Sequence, residues 1–236
     1  MIGVRGMVGI IGAMAVEVEN ILKKMTGAKQ EKISGITYYM GKIENRDCVV
    51  AQCGIGKVAA AVCAQTMILK YSPDVVINVG VAGGIGEGIH IGDLVVSSGL
   101  VQHDIDTTAL GDPMALISGL NLVTIPASER LVRLVEQVGA ESYDGGVHIG
   151  VIASGDQFIS GKEKLNQLAR DYEAKACEME GGSIAQVCYM NQVEFVVIRA
   201  ISDNANEDAS VDYATFSVES AHKTAELIDQ LVQKLS

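Results

Sequence analysis

The sequence lacks tryptophan and has few aromatic side chains of any kind. Aromatic residues make up 4% of the 236 positions, whereas hydrophobic residues make up 48%. Such a chain can bury a large core, and that core must be mainly aliphatic. Basic residues are also outnumbered, since the formal net charge is −11. Because surfaces that bind nucleic acid carry clustered Lys and Arg, we exclude nucleic acid as a partner.

Long apolar segments are absent as well. No run reaches 18 uninterrupted apolar residues, so we predict no membrane-spanning helix and no membrane partner. Residues 1–6 are short and mixed in character and lack the hydrophobic region of a signal peptide. We therefore expect a cytoplasmic protein, with residues 1–6 as an N-terminal extension and residues 7–236 as one domain.

Cysteine and histidine do not form recognisable clusters. The five cysteines include no CxxC pair, and four of them lie in apolar runs, which predicts reduced and buried thiols. The four histidines are scattered, and no His/Cys group has the spacing of zinc ligands. We predict neither a metal site nor a cofactor.

Apolar strand-like runs alternate with helix-like runs along the chain, which favours an α/β fold with a mixed, largely parallel sheet. The strand patterns cover 7–14, 36–43, 48–53, 74–81, 92–97, 147–153 and 193–203, and the helix patterns cover 15–22, 58–70, 128–138, 162–170, 183–188 and 211–235. The second and third strands read as an antiparallel hairpin. An irregular stretch from 103 to 126 is long enough to indicate a functional or interface loop, with a disordered flap as the alternative.

Two glycine-rich turns resemble nucleotide-binding motifs without completing them. The segment 54–57 (GIGK) precedes a helix, but Val58 stands where a P-loop needs Ser or Thr. We predict a tight turn there, with Ile55 facing a pocket. The segment 82–88 is followed by another strand and not by the helix of a dinucleotide fold. Its glycines still allow close approach of a ligand to the backbone.

Three acidic residues each follow a predicted buried strand: Glu17, Glu180 and Asp203. The ends of such strands can share one crevice, which is where open α/β sheets bind ligands. Glu180 alone could simply favour a helix N-terminus through the helix dipole. Three carboxylates with different environments, however, can divide the roles of acid and base that cleavage of a glycosyl bond requires.

Six segments carry a family resemblance: 9–14 (GIIGAM), 54–60 (GIGKVAA), 82–84 (AGG), 154–159 (SGDQFI), 178–180 (EME) and 199–203 (RAISD). In this order they resemble 5′-methylthioadenosine/S-adenosylhomocysteine nucleosidase, of the purine nucleoside and uridine phosphorylase superfamily. The resemblance runs from about residue 7 to the C-terminus. It implies a three-layer α/β/α domain and a homodimer whose pocket is completed by the partner subunit.

The resemblance also implies residue roles. Asp203, oriented by Ser202, would protonate adenine at N7, and Glu17 would activate the attacking water. Phe158 would stack on the base while the backbone of Ile159 reads its edge. The full set that we expect comprises catalytic Glu17 and Asp203 and substrate-binding Met14, Ile55, Ala82, Gly83, Thr107, Leu110, Phe158, Ile159, Glu178, Met179, Glu180, Arg199, Ser202 and Tyr213. Within it, Glu180 and Met179 would hold the ribose, Glu178 would support that geometry or make a second ribose contact, and Arg199 would fix a carboxylate.

Some positions depart from the family pattern. Val81 stands where the family often has Ser, and Tyr213 where it often has Phe. Thr107 and Leu110 lie where a partner subunit usually covers the 5′-substituent with an aromatic side chain. These changes surround the 5′ group, so the sequence predicts the reaction better than the substrate.

Two alternatives remain open. The first is a related phosphorylase, or a hydrolase that acts on aminodeoxyfutalosine or another 5′-substituted adenosine. Against a phosphorylase, no Arg follows the glycine of the first strand, where phosphorylases carry one. The second is a catalytically inactive nucleoside-binding protein, which the retention of Glu17, Glu180 and Asp203 argues against.

Overall fold

The computed structural model describes residues 6–204 and 209–235. Strands in these ranges are β1 (Val8–Gly12), β2 (Thr26–Ile33), β3 (Ile36–Ile43), β4 (Arg46–Gln52), β5 (Val75–Gly84), β6 (Leu94–Gln102), β7 (Thr124–Pro126), β8 (Val147–Ser154), β9 (Ala174–Glu178) and β10 (Glu194–Asp203). The α-helices are α1 (Ala15–Lys24), α2 (Lys57–Tyr71), α3 (Glu129–Ser142), α4 (Lys162–Tyr172), α5 (Gly181–Met190) and α6 (Ala209–Lys234), and a 3-10 turn spans Thr108–Leu110.

The strands form one mixed sheet that closes on itself at one end. β5 pairs in parallel with β1 and β10, and antiparallel with β9. The path β5–β10–β6–β8–β9 returns to β5, while β1, β4, β3 and β2 extend away as an open arm. Among the described strands, five pairings are parallel and five antiparallel, so the sheet is more evenly mixed than the sequence predicts.

Helices cover the sheet in two groups, which confirms the predicted three-layer arrangement. α6 packs on both α1 and α3, and α2 packs on α5. Strands β1 and β5 are buried along their whole length, as their continuous apolar sequences require in a sheet covered on both faces. None of the helices in the described ranges is long and apolar enough to cross a membrane.

Most predicted elements are present within a few residues of their expected ends, and the main error is the omission of β2. Its sequence, TGAKQEKI, has no apolar alternation because the strand is largely exposed and pairs only with β3. The predicted glycine-rich loop is partly wrong too, since β5 continues through Gly84. All five cysteines are free and buried, as predicted. The N-terminal extension at 1–6 lies almost entirely outside the described residues.

Candidate active site

A cavity of about 340 Å³ opens where β1, β5, β9 and β10 end. This is the edge at which α/β sheets place ligands. Its walls carry the three acidic residues that the sequence predicts at strand ends, Glu17, Glu180 and Asp203, and all three are buried. The complete lining is Ala13, Met14, Glu17, Ile55, Val81, Ala82, Gly83, Phe158, Cys177, Glu178, Met179, Glu180, Ser202, Asp203 and Tyr213.

A bulge at the end of β10 turns two consecutive side chains into this cavity. Ile201 pairs with Ala82 and Asp203 with Gly83, so Ser202 is an extra residue in the register. In a regular strand neighbouring side chains point to opposite faces. Here Ser202 and Asp203 both line the cavity, and the Ser202 hydroxyl donates to Asp203 Oδ2 at 3.0 Å. The serine thus fixes the orientation of the carboxyl group.

Glu17 lies in the first turn of α1 and reaches back over the end of β1. Its Oε2 accepts the N–H groups of Ala13 (2.7 Å) and Met14 (2.9 Å), and its Oε1 accepts the N–H of Val81 at 3.1 Å. Burial raises the pKa of Glu17, against the opposing effects of Arg199 and these backbone donors. A carboxylate has about four acceptor positions, so one remains for a water molecule or a substrate hydroxyl.

Glu178 forms its hydrogen bonds with other groups of the protein. Its Oε2 accepts from Arg199 Nη2 at 2.5 Å and from the N–H groups of Glu180 (2.9 Å) and Gly181 (2.7 Å). Its Oε1 accepts the hydroxyl of Ser154. Although burial opposes ionisation, Arg199 and these hydrogen bonds hold the pKa of Glu178 below its ordinary value. Glu178 is therefore an ionised group of the cavity wall whose oxygens are bound by other groups of the protein.

Glu180 has the opposite environment two residues later. Its side chain accepts a hydrogen bond from the N–H of Gly56 at 2.8 Å. Burial, together with the negative charge of Glu178, raises the pKa of Glu180 to about 7, and Arg199 and Gly56 only partly offset this. The ionised form is thus poorly compensated until a ligand with hydroxyl groups or positive charge enters the cavity.

Apolar and aromatic groups form the remaining wall. Phe158 and Tyr213 meet edge to face, with their ring centroids 5.9 Å apart. The hydroxyl of Tyr213 donates to the sulfur of Met14 at 3.0 Å. Phe158 is half exposed, so one face of its ring is available to a flat ligand. Ile159 lines a small adjoining cavity together with Phe158 and Asp203.

The structure brings most of the predicted site residues together at this cavity, with Ile159 in the adjoining one, and three lie elsewhere. Arg199 does not line the cavity; it is buried and pairs with Glu178, one of the carboxylates that the sequence predicted it could fix. Thr107 and Leu110 lie outside the cavity of this single subunit, and Leu110 is 83% exposed. A larger open groove of about 650 Å³, near Pro126, contains no comparable cluster of carboxylates.

Several groups that support the carboxylates were not predicted from the sequence. Gly80 matters because a Cβ there would lie 2.6 Å from Glu17 Oε1 and 3.3 Å from Arg199 Nη1. Asn78 accepts from Arg199 at 2.6 Å, and Ser154 binds Glu178. The glycine-rich end of β5 was the only signal for the first of these, and nothing in the sequence indicated the other two.

Comparison with known proteins agrees with this geometry. The family model of the phosphorylase superfamily matches residues 7–235. A 5′-methylthioadenosine/S-adenosylhomocysteine nucleosidase from Shewanella loihica is 38% identical over 97% of this chain and 99% of its own. The chain belongs to this nucleosidase family within the phosphorylase superfamily.

Solved structures of the nucleosidase family share the fold closely. An Asp-to-Asn mutant of the Helicobacter pylori nucleosidase, with 5′-methylthioadenosine in its active site, superposes with a TM-score of 0.93 at 35% identity, covering 97% of this chain and 99% of that one. A futalosine hydrolase from Helicobacter pylori gives 0.92 at 36% identity, covering 97% and 98%. The fold and family expected from the sequence are confirmed.

Proposed function

We propose that the protein hydrolyses the N-glycosidic bond of 5′-methylthioadenosine and S-adenosylhomocysteine, releasing adenine and the thioribose product. Such an activity belongs to methionine salvage and the removal of methyl-transfer by-products. The observation that carries the proposal is the meeting of Glu17, Glu180 and Asp203 in one cavity, each with different partners. Carboxyl groups in different environments can take the separate roles of acid and base that the reaction requires.

Asp203 is the proposed general acid. Ser202 orients its carboxyl group, and Phe158 offers a ring face on which adenine can stack beside it. Protonation of the base at N7 turns adenine into a neutral leaving group, and a positioned proton transfer of this kind contributes about 10²- to 10⁴-fold to the rate. Ile159, in the adjoining cavity, is placed for a backbone contact with the edge of the base.

Glu180 and Glu17 are the proposed sugar-side groups. Glu180, next to Met179, would bind ribose hydroxyls, and its negative charge would stabilise the positive charge that grows on the sugar. Glu17 retains one acceptor position, and a raised pKa brings a carboxylate closer to the range suited to a general base at neutral pH. We assign Glu17 the activation of water.

The charge of the cavity supports hydrolysis over phosphorolysis. Phosphate binding calls for Lys, Arg or helix N-terminal donors. No Lys, Arg or His occurs among the described residues that line the cavity, and Arg199 is committed to Glu178. Water is therefore the nucleophile that this cavity accommodates best.

We also propose a homodimer whose partner subunit completes the cavity, and a cytoplasmic location, which the free buried thiols favour. Large apolar side chains are exposed at the cavity, along α2 and in the 3-10 turn: Ile55, Val58, Val62, Leu69 and Leu110. Exposed apolar side chains gathered into a patch are typical of an interface. Thr107 and Leu110 would then contact the partner's substrate at its 5′ group.

The test is to follow adenine release from 5′-methylthioadenosine with and without phosphate. We expect equal rates in both conditions. Product that appears only with phosphate would contradict hydrolysis. Relative rates on methylthioadenosine, adenosylhomocysteine and aminodeoxyfutalosine then define the substrate, and the last of these is included because the similar futalosine hydrolase makes it the main alternative.

A further inference from the structure

Three charged residues outside the cavity lining form a closed ring of contacts. Lys57 Nζ lies 2.6 Å from Asp104 Oδ1. The other oxygen of Asp104 accepts the N–H of Asp156 at 2.9 Å. Asp156 Oδ1 in turn accepts the backbone N–H of Lys57 at 2.8 Å. We call these three residues the clasp.

The clasp joins three segments that are distant in sequence. Lys57 begins α2, Asp104 follows β6 at the start of the irregular loop, and Asp156 lies in the loop after β8. Two of these segments carry groups of the proposed site. Gly56, directly before Lys57, donates its N–H to Glu180 at 2.8 Å, and Phe158 follows Asp156 by two residues.

The local geometry leaves little room for movement. Gly56 has a φ of +94°, and a Cβ there would lie 3.0 Å from Asp156 Oδ1. The side chains of Lys57 and Asp104 are only 18% and 15% exposed, so their attraction is less screened than that of a surface pair. Lys57 and the N–H of Asp156 lower the pKa of Asp104 despite its burial, which keeps it ionised at neutral pH.

We propose that Lys57, Asp104 and Asp156 are positioning residues, which hold the Gly56 N–H against Glu180 and Phe158 beside the cavity. Two consecutive N–H groups at the start of α2 then bind two carboxylates, Glu180 on the sugar side and Asp156 on the base side. Because Asp104 also begins the loop that carries Leu110, the clasp connects the proposed partner contact to the substrate site. This inference rests on the proposed function for its kinetic readout only.

The kinetic test compares Lys57→Met, Asp104→Asn and their double variant with a matched control, Lys24→Met. The control removes a charge pair with Asp229 (3.2 Å) that joins α1 to α6 away from the cavity. We expect each clasp variant to lower kcat/KM for methylthioadenosine about tenfold, mainly through KM. The double variant should have a kcat/KM no lower than that of the more impaired single variant, because both changes break the same ring of contacts. Additive losses, or values within twofold of the parent, would overturn the proposal.

Two further variants separate positioning from a merely structural effect. Asp156→Asn keeps an oxygen that can accept the N–H of Lys57, so it should retain near-parental KM, whereas Asp156→Ala should behave like Lys57→Met. The hydrogen bond from Gly56 lowers the pKa of Glu180, so weakening that bond should raise this pKa. The acidic limb of kcat/KM should therefore move to higher pH in Lys57→Met and Asp156→Ala. An unchanged pH profile in both would show that Glu180 does not depend on the clasp.

Amide hydrogen exchange tests the clasp without any substrate. In Lys57→Met the amides of Gly56 and Asp156 should exchange at least tenfold faster, and in Lys24→Met they should be unchanged. If the parent protein fails to hydrolyse methylthioadenosine but these amides respond, the proposed function fails and the clasp stands. If the parent is active and the amides of Lys57→Met exchange as in the parent, the clasp is wrong.

Discussion

Glu178 and Glu180 lie two residues apart, yet replacing each with Gln should change stability in opposite directions. Glu180→Gln removes a carboxyl group whose pKa is raised from 4.5 to about 7, chiefly by burial. Between those values the unfolded chain releases the proton more readily, so ionisation of Glu180 opposes folding increasingly as the pH rises. Gln keeps an oxygen for the Gly56 N–H but carries no charge, so the ligand-free variant should be more stable than the parent at neutral pH.

The size of the effect follows from the two pKa values. One pKa unit corresponds to about 1.4 kcal/mol, so the raised pKa of Glu180 lowers the free energy of unfolding by about 3 kcal/mol at pH 7.5 and by about 1 kcal/mol at pH 5. At roughly 2–4 °C per kcal/mol for a chain of this length, Glu180→Gln should raise Tm by about 6 °C or more at pH 7.5 and by about 2 °C at pH 5. Binding of substrate should be lost in the same variant.

Glu178→Gln should do the reverse. It removes the charged partner of fully buried Arg199, and breaking such a pair typically costs about 3–5 kcal/mol. The neighbouring charges of Glu17 and Glu180 still face the guanidinium, so we expect a loss near the lower figure. Because the pKa of Glu178 is lowered in the folded state, the stability it contributes is present at neutral pH and declines as acid protonates it.

Thermal unfolding tests these opposite changes in stability. The parent and both variants are freed of bound adenine and compared at one protein concentration. For each variant, the change in Tm at pH 5 is subtracted from the change in Tm at pH 7.5. Effects of the substitution that do not depend on charge are the same at both pH values and cancel in this difference. If Glu180→Gln gave the same change at both pH values, Glu180 would titrate normally and the reasoning would fail. A stable Glu178→Gln variant would show that Arg199 does not depend on that partner.

Other predictions concern the reaction and the assembly. Asp203→Asn should lower kcat by at least about 100-fold with substrate affinity largely kept, and turnover within tenfold of the parent would remove Asp203 as the acid. Glu17→Gln should abolish catalysis but keep, or tighten, binding of cationic ribose mimics; if affinity for the mimic fell equally, Glu17 would be a ligand contact instead. Gly80→Ala should push Glu17 from its place, with a drop in kcat of about tenfold or more and a cost of about 1–3 kcal/mol in stability by thermal unfolding. Leu110→Glu should shift the sedimentation coefficient towards a monomer and raise KM, and a fully active monomer would argue against a shared pocket.

The sequence predicted elements wherever burial imposes a strong pattern. β1 and β5 are apolar throughout because both faces are covered, and α3 begins after Ser128, whose hydroxyl accepts the N–H of Leu131. β2 was not predicted because it is largely exposed and therefore carries no apolar pattern. An exposed edge strand needs no apolar alternation, so its existence depends on pairing with β3, and that partner cannot be read from a strand in which every residue but Ile33 is polar or small.

The site was predictable in its residue types and not in its second layer of contacts. Carboxylates at strand ends indicated Glu17, Glu180 and Asp203, but several hydrogen-bond partners of these residues and of Glu178 come from positions 24 to 124 residues away. Ser154, 24 residues from Glu178, and Gly56, 124 residues from Glu180, show this distance most clearly. The resemblance also placed Arg199 in the substrate set, whereas the structure shows it buried and paired with Glu178.

The register of β10 against β5 explains why a single strand end can supply both the acid and its orienting group. With regular pairing, Ser202 and Asp203 would face opposite sides of the sheet, and only one could reach the cavity. The extra residue at Ser202 brings both to the same side and places their oxygens 3.0 Å apart. The sequence contains both residues but gives no sign of the bulge, since the bulge exists only in the pairing of Ile201 and Asp203 with Ala82 and Gly83. Chemistry at this site therefore depends on strand register as directly as on residue identity.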